Sequence, residues 1–443
     1  MPYFIGMLFV WQIMLDIFGI DVGLAPGLSL KNLVVYAGLA TLLVRGLLTE
    51  TLRFEIRELH TACLLLLLYA TLTWLVASYV IRYENYNVLQ NGILLKTIQL
   101  DYYAMFLVSF LAIRNLSEAD LAMRLVTLAS SLPQILTLTE VAGITSLGVS
   151  PVRDDGRVDG ALGEANMYAA YIAFFLPTYI VRAVDDRRVW RLAWLGSIVL
   201  AVVVMLLTVS RGGILGLMVG AVISAVMFRR QIPVGRILTI GAIGLSLAIV
   251  ALFALNTGFR SLVMDRMLAE STQADIGIAT SGRTDFWVDA LKVMAAQPIT
   301  FLTGYGWRVY WSLPFQYSPH NSYLNYWFNL GLPGLLLFSY PFVLMVRRAA
   351  QAARQASTQA RNLMIGFVFG VVSMCVAVFF VELYYPWFYI WFYMGLVMRT
   401  TVLLQTGSQP APLPARRSEN PRRSGSDRYG WRSRSAPTAA RKA

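Results

Sequence analysis

The sequence predicts an all-α integral membrane protein with about twelve transmembrane helices, on three observations. The chain is 57% hydrophobic and only 14% charged, with a mean hydropathy of +0.59. Soluble proteins average about 45–50% apolar and about 25% charged residues. Apolar runs near the length needed to cross a bilayer recur along the chain, and arginine clusters occupy alternate connections between them.

In order, the runs are 4–20, 30–47, 62–81, 96–113, 119–141, 166–184, 192–209, 212–228, 237–255, 322–346, 363–381 and 386–402. The first lacks a basic flank and reads as a retained helix, not a cleaved signal. Cys63 and Cys375 both fall inside runs, where they read as small packing residues; neither a disulfide nor a zinc site is expected.

Arginine distribution then orients the chain. Arg45, Arg53 and Arg57 share one connection, Arg114 and Arg124 flank the next of the series, and Arg182, Arg187, Arg188 and Arg191 follow. Arg229, Arg230 and Arg236, then Arg347, Arg348, Arg354 and Arg361, complete it. The positive-inside rule makes these loops and both termini cytoplasmic. The expected organisation is a membrane domain over 1–404, with an outer loop at 256–321, and a basic tail over 405–443. That tail is rich in Pro, Ser and Arg and cannot bury a core. It either attracts anionic membrane lipid or simply satisfies topology. The net charge of +13 is explained by these cytoplasmic segments, so nucleic acid is not an expected partner.

The outer connections carry the unusual residues. One, 143–164, holds Arg153, Asp154, Asp155, Arg157 and Asp159. The other is the loop at 256–321, longer than connections usually are without a function. Within it Phe286, Trp287, Ala290, Leu291 and Met294 recur at helical spacing, with Thr284 as a candidate N-cap and Pro298 as a stop. The stretch 259–268 is also amphipathic. Asp16, Asp101, Glu140 and Glu382 all fall toward the outer ends of their spans and together suggest a polar cavity opening outward.

Three residues carry the candidate chemistry. His320 precedes a span, and histidine is the side chain suited to move a proton near neutral pH. The alternative is a surface histidine that positions the helix. Arg211 sits in Ser210-Arg211-Gly212-Gly213 between two spans with almost no loop. Its guanidinium, the glycine backbone and a helix start expected at Gly213 make an anion site, for which a diphosphate is the natural ligand. The alternative is a tight hairpin with a snorkelling arginine. Arg283 repeats the pattern beside Gly282, so two arginines would hold a pyrophosphate.

These segments resemble the O-antigen ligase superfamily, which also includes O-antigen polymerases and some protein O-oligosaccharyltransferases. The likeness rests on Ser210-Arg211-Gly212-Gly213, on Ser281-Gly282-Arg283 with Phe286-Trp287, on Gly304-Tyr305-Gly306-Trp307, and on His320-Asn321 with Leu324, Gly331 and Gly334. Gly160 to Ala169 also resembles the family's entry to the sixth span, although Glu164-Ala165-Asn166 stands where Asn-Pro-Asn is common.

The resemblance implies a GT-C-like glycosyltransferase of the bacterial inner membrane with a periplasmic active site. The implied donor is a glycan on undecaprenyl diphosphate and the implied acceptor is lipid A-core. His320 is the implied catalytic residue, and Arg211 and Arg283 the diphosphate clamp. Arg157, Asn166, Tyr305, Asn321 and Tyr323 are the implied substrate contacts. No cofactor and no metal is expected, and the transfer is expected to invert the anomeric centre. An O-antigen polymerase would need the same parts. A lipid-linked sugar transporter would favour related halves, and no internal repeat is evident.

Overall fold

A computed structural model describes residues 1–20, 22–50, 52, 54–153, 156–231, 246, 282–313 and 319–406. It is an all-α bundle apart from a short antiparallel hairpin, β1 (Gly23–Ala25) and β2 (Leu28–Ser29). Ten helices among the described residues are long and apolar enough to cross a membrane. The chain is therefore a multi-pass membrane protein. The first expected span is α1 (Pro2–Ile17), shorter than those ten, and the span expected at 237–255 lies outside the described residues. So do the amphipathic stretch at 259–268 and the basic tail, while the last helix runs through Gln405.

The helices follow in order: α2 (Leu30–Leu48), α3 (Arg57–Leu75), α4 (Val88–Leu95), α5 (Tyr102–Ala112), α6 (Leu116–Ala129), α7 (Leu132–Val141), α8 (Ala165–Asp185), α9 (Arg188–Leu207) and α10 (Arg211–Phe228). Then come α11 (Arg283–Ala296), the single turn α12 (Thr300–Thr303), α13 (Ser322–Gln355), α14 (Thr358–Ala377) and α15 (Tyr385–Gln405). A π-helical stretch extends α3 to Ile81, and another, Lys96–Asp101, joins α4 to α5.

The core is built around α8, which is buried along most of its length, with α14 and α15 against it. Small residues set these distances. A Cβ on Gly370 would lie 2.2 Å from the Phe174 carbonyl oxygen, and one on Gly395 2.1 Å from Ser109 Oγ. Close helix approach through small residues replaces a hydrophobic driving force that lipid does not supply.

Helix α13 is broken at Gly331, where φ is +64°. In a membrane a break must have its freed backbone groups satisfied within the protein. Here the Tyr305 and Gly306 N–H groups donate to the carbonyls of Phe328 and Asn329 at 3.0 and 2.7 Å. Gly304 and Gly331 allow that approach, since a Cβ on Gly331 would lie 2.1 Å from the Leu302 carbonyl oxygen.

At the end of α8 away from Ala165, charges tie four helices together. Arg182 pairs with Asp120, Arg124 with Asp186 at 2.6 Å, and Trp194 Nε1 and Asn362 donate to Asp186 and Asp185.

Candidate active site

Helices α10, α11 and α13 all begin at the other end of the bundle, around the segment that leaves α14. The Ser322 N–H donates to the Val378 carbonyl at 3.0 Å, and Ser322 Oγ donates to the Val381 carbonyl. Trp287 of α11 meets Phe379 edge-on at 5.2 Å, and its indole N–H donates to the Pro319 carbonyl at 2.7 Å. Gly212 of α10 packs on Phe380, which a Cβ would approach to 2.9 Å. One turn of chain after α14 thus touches the starts of the three helices that carry Arg211, Arg283 and His320, which the sequence separates by more than a hundred residues in all.

Ser210 is the N-cap of α10, its hydroxyl accepting from the Gly213 N–H at 3.3 Å. The helix therefore begins at Arg211, two residues earlier than the sequence suggests. Gly213 does not offer its backbone to a ligand: its N–H is capped, and a Cβ there would meet Ala169 Cβ at 2.7 Å. The glycines serve helix packing, and Arg211 in the first turn is left half-buried at the surface of the cluster. Before Ser210, buried Val209 has φ +46°. A β-branched residue there is strained, and such strain persists only where the surroundings impose it.

Arg157 and Asn166 fix this cap from behind. Arg157 is buried, donating from Nε to the Thr208 carbonyl at 2.9 Å and from a terminal nitrogen to Asn166 Oδ1 at 3.0 Å. Ser210 Oγ donates to the same Asn166 oxygen at 3.0 Å, and Asn166 Nδ2 donates to Glu164. A buried guanidinium is stable only when paired or hydrogen-bonded, and here its bonds define where α10 starts.

Arg283 opens α11 behind Gly282, which has φ +77° and is the N-cap in place of the expected Thr284. Half-buried His320 also has a left-handed backbone, φ +48°, and Asn321 then caps α13 by accepting from the Leu324 N–H at 3.0 Å. Burial and the Arg283 guanidinium hold the His320 imidazole below its ordinary pKa, and Glu164 opposes them. Glu164, named in the sequence only as a departure from a motif, is thus part of the electrostatic surroundings of the histidine.

Two expected substrate contacts have their hydroxyls bonded within the bundle. Tyr305 stacks on Phe328 at 4.7 Å and donates its hydroxyl to the Val293 carbonyl at 2.8 Å, so its side chain packs α11 against α13. Tyr323 turns toward α14, its hydroxyl donating to the Cys375 carbonyl at 2.9 Å. Both rings also pack around the start of α13, Tyr323 against Phe379. The sequence names Trp287, Ser210 and Glu164 but assigns none of them the positioning role these bonds give. Among the described residues no group of three or more His, Cys, Asp or Glu is arranged to hold a metal ion.

The segment bearing this arrangement matches a known family, with residues 196–339 fitting the model described as O-antigen ligase. The chain carries an O-antigen ligase family domain. That domain contains Arg211, Arg283 and His320, while Arg157, Glu164 and Asn166 reach it from outside the matched segment. Comparison with curated proteins finds no match to the chain.

Proposed function

We propose that the protein is an O-antigen ligase, moving a glycan from undecaprenyl diphosphate to lipid A-core at the periplasmic face of the bacterial inner membrane. The reading is supported by Arg211, Arg283 and His320 each standing at or just before the start of a helix that packs on the segment after α14, within residues that match the O-antigen ligase family model.

An acceptor hydroxyl oxygen attacks the anomeric carbon, and the bond from that carbon to the diphosphate oxygen breaks. The hydroxyl proton passes to neutral His320. Arg211 and Arg283 hold the diphosphate and stabilise the negative charge it gains on leaving, a contribution that a preorganised site makes most strongly in the transition state. Asn166, Arg157 and Ser210 set the position of Arg211, and Asn321 sets that of the α13 turn. A single displacement inverts the anomeric configuration.

The test is transfer by purified protein in detergent, given undecaprenyl-diphosphate-linked glycan and lipid A-core. Glycan ladders on lipid A, lost in His320→Ala and Arg211→Ala, are expected. Longer glycan on the carrier with unmodified lipid A would identify a polymerase instead, and an intact donor with no transfer would refute both.

A further inference from the structure

A cavity apart from these helix starts includes Arg308 and Tyr384 in its lining. It measures about 540 Å³ and is walled by the end of α1, the β-hairpin, the start of α2 and the π-helical turn before α5. Its lining includes Asp16, Lys31, Asp101 and Arg308, with Tyr102 and Phe388 as apolar faces. Arg308 and Tyr384 also line a smaller cavity that reaches Ser322, Asn325 and Glu382, in the first turn of α13 and the segment after α14. Arg308 therefore stands in the wall between the larger cavity and the helix turn that follows His320.

The charges in this lining are unequally satisfied. Lys31 pairs with Asp16, and Lys96 pairs with Asp101 at 2.8 Å while donating to the Gly27 carbonyl at 2.7 Å. Tyr389 and Tyr36 donate to the same two carboxylates. For Arg308 no carboxylate lies within ion-pair distance among the described residues; its Nε is buried with no hydrogen-bond partner, and the rest of its guanidinium bears on the Tyr384 hydroxyl. Its backbone is held left-handed at φ +56°, and its guanidinium lies 5.8 Å from the Trp311 ring centre.

We propose that this cavity is a saccharide subsite that seats a sugar of the acceptor beside the reacting hydroxyl. A pyranose has a rim of hydroxyls and two C–H faces. Ion pairs fixed by buried Tyr389 and half-buried Tyr36 offer oriented acceptors and donors to the rim, and the edges of the packed Tyr102 and Phe388 rings offer apolar surface to the C–H side. The volume falls in the range of about 300–1,000 Å³ typical of small-ligand sites. A lipid tail there would desolvate carboxylates without replacing their hydrogen bonds. Lys31 in the lining and Lys96 beside it are already neutralised, so a simple anion finds little net charge. The proposal deepens the glycosyl-transfer reading and rests on it for the identity of the sugar as acceptor.

The test uses the full chain in detergent and, as probe, core oligosaccharide released from lipopolysaccharide by mild acid, without lipid or donor. Binding is followed by titration calorimetry. Wild type and His320→Ala are expected to bind alike. Arg308→Gln, and Thr97→Trp, which places an indole in the cavity, are expected to weaken binding about tenfold or more. Arg308→Lys should recover part of the loss, which separates a lost contact from a lost fold. In the transfer assay the same two variants should raise the acceptor KM and leave the donor KM unchanged. Binding undiminished in both variants, or none by wild type, overturns the subsite. Wild type that binds the probe through this cavity yet transfers no glycan keeps the subsite and overturns the ligase reading.

Discussion

His320 combines a left-handed backbone, partial burial and two opposite charges in one turn of chain. The burial and Arg283 favour the neutral imidazole, the form that accepts a proton. The sign follows directly. A lowered pKa keeps the base neutral below the ordinary histidine value of about 6.5, so transfer should hold its rate through that pH and fall only in more acidic buffer. Arg283→Gln removes the opposing cation, so the acid limb should move to higher pH while kcat/KM also drops. A pH–rate profile in both proteins checks this, and a limb that stays in place would refute the coupling. His320→Ala should cost roughly 10²–10⁴-fold, the usual worth of a positioned acid or base. His320 stood out at this scale because the chain has only two histidines. The commitment of Tyr305 and Tyr323 to packing was not legible, because a tyrosine beside a glycine motif reads the same whether its hydroxyl meets a sugar or the Val293 carbonyl.

Helix starts are the elements on which the site depends. Each of α10, α11 and α13 presents one candidate residue at or just before its first turn, and each is held by a different device. For α10 it is the Ser210 cap, for α11 the Gly282 turn, and for α13 the Asn321 cap together with Trp287. Trp287→Phe keeps an aromatic against Phe379 but deletes the bond to the Pro319 carbonyl. It should lower transfer by loosening the His320 turn, with a stability loss of about 1 kcal/mol, the usual net worth of one hydrogen bond. Activity and thermal melting measured together check it; unchanged activity would show that the turn is held without Trp287. The helices were legible from periodicity and the caps partly so. The glycines of Ser210-Arg211-Gly212-Gly213 were misread as a ligand cradle. Only the positions of Ala169 and Phe380 show that they admit neighbouring helices.

Across the molecule, α8 links the site end to a charged cluster at its other end, over a helix of 21 residues. Asp186 there is almost fully buried and receives both Arg124 and the Trp194 indole N–H. Arg124 would keep its pair with Asp120, while the buried Trp194 indole N–H would lose its acceptor. Asp186→Ala should therefore cost about 1–3 kcal/mol, read as a lower melting temperature in detergent with no change in the pH–rate profile. A melting temperature equal to wild type would show the cluster to be dispensable. The sequence by itself determined that this chain crosses a membrane many times and places its arginine–histidine residues at span boundaries. Both follow from the cost of taking polar groups into hydrocarbon, which is written in local composition. Only the tertiary structure decided that the helix starts carrying Arg211, Arg283 and His320 pack on one segment after α14, that Arg157 and Asn166 brace the α10 cap, and that Asp16 and Asp101 share a cavity with Arg308. Those facts depend on which helix lies against which. That order is set by small-residue packing and long-range hydrogen bonds between positions far apart in the chain, where no local pattern records them.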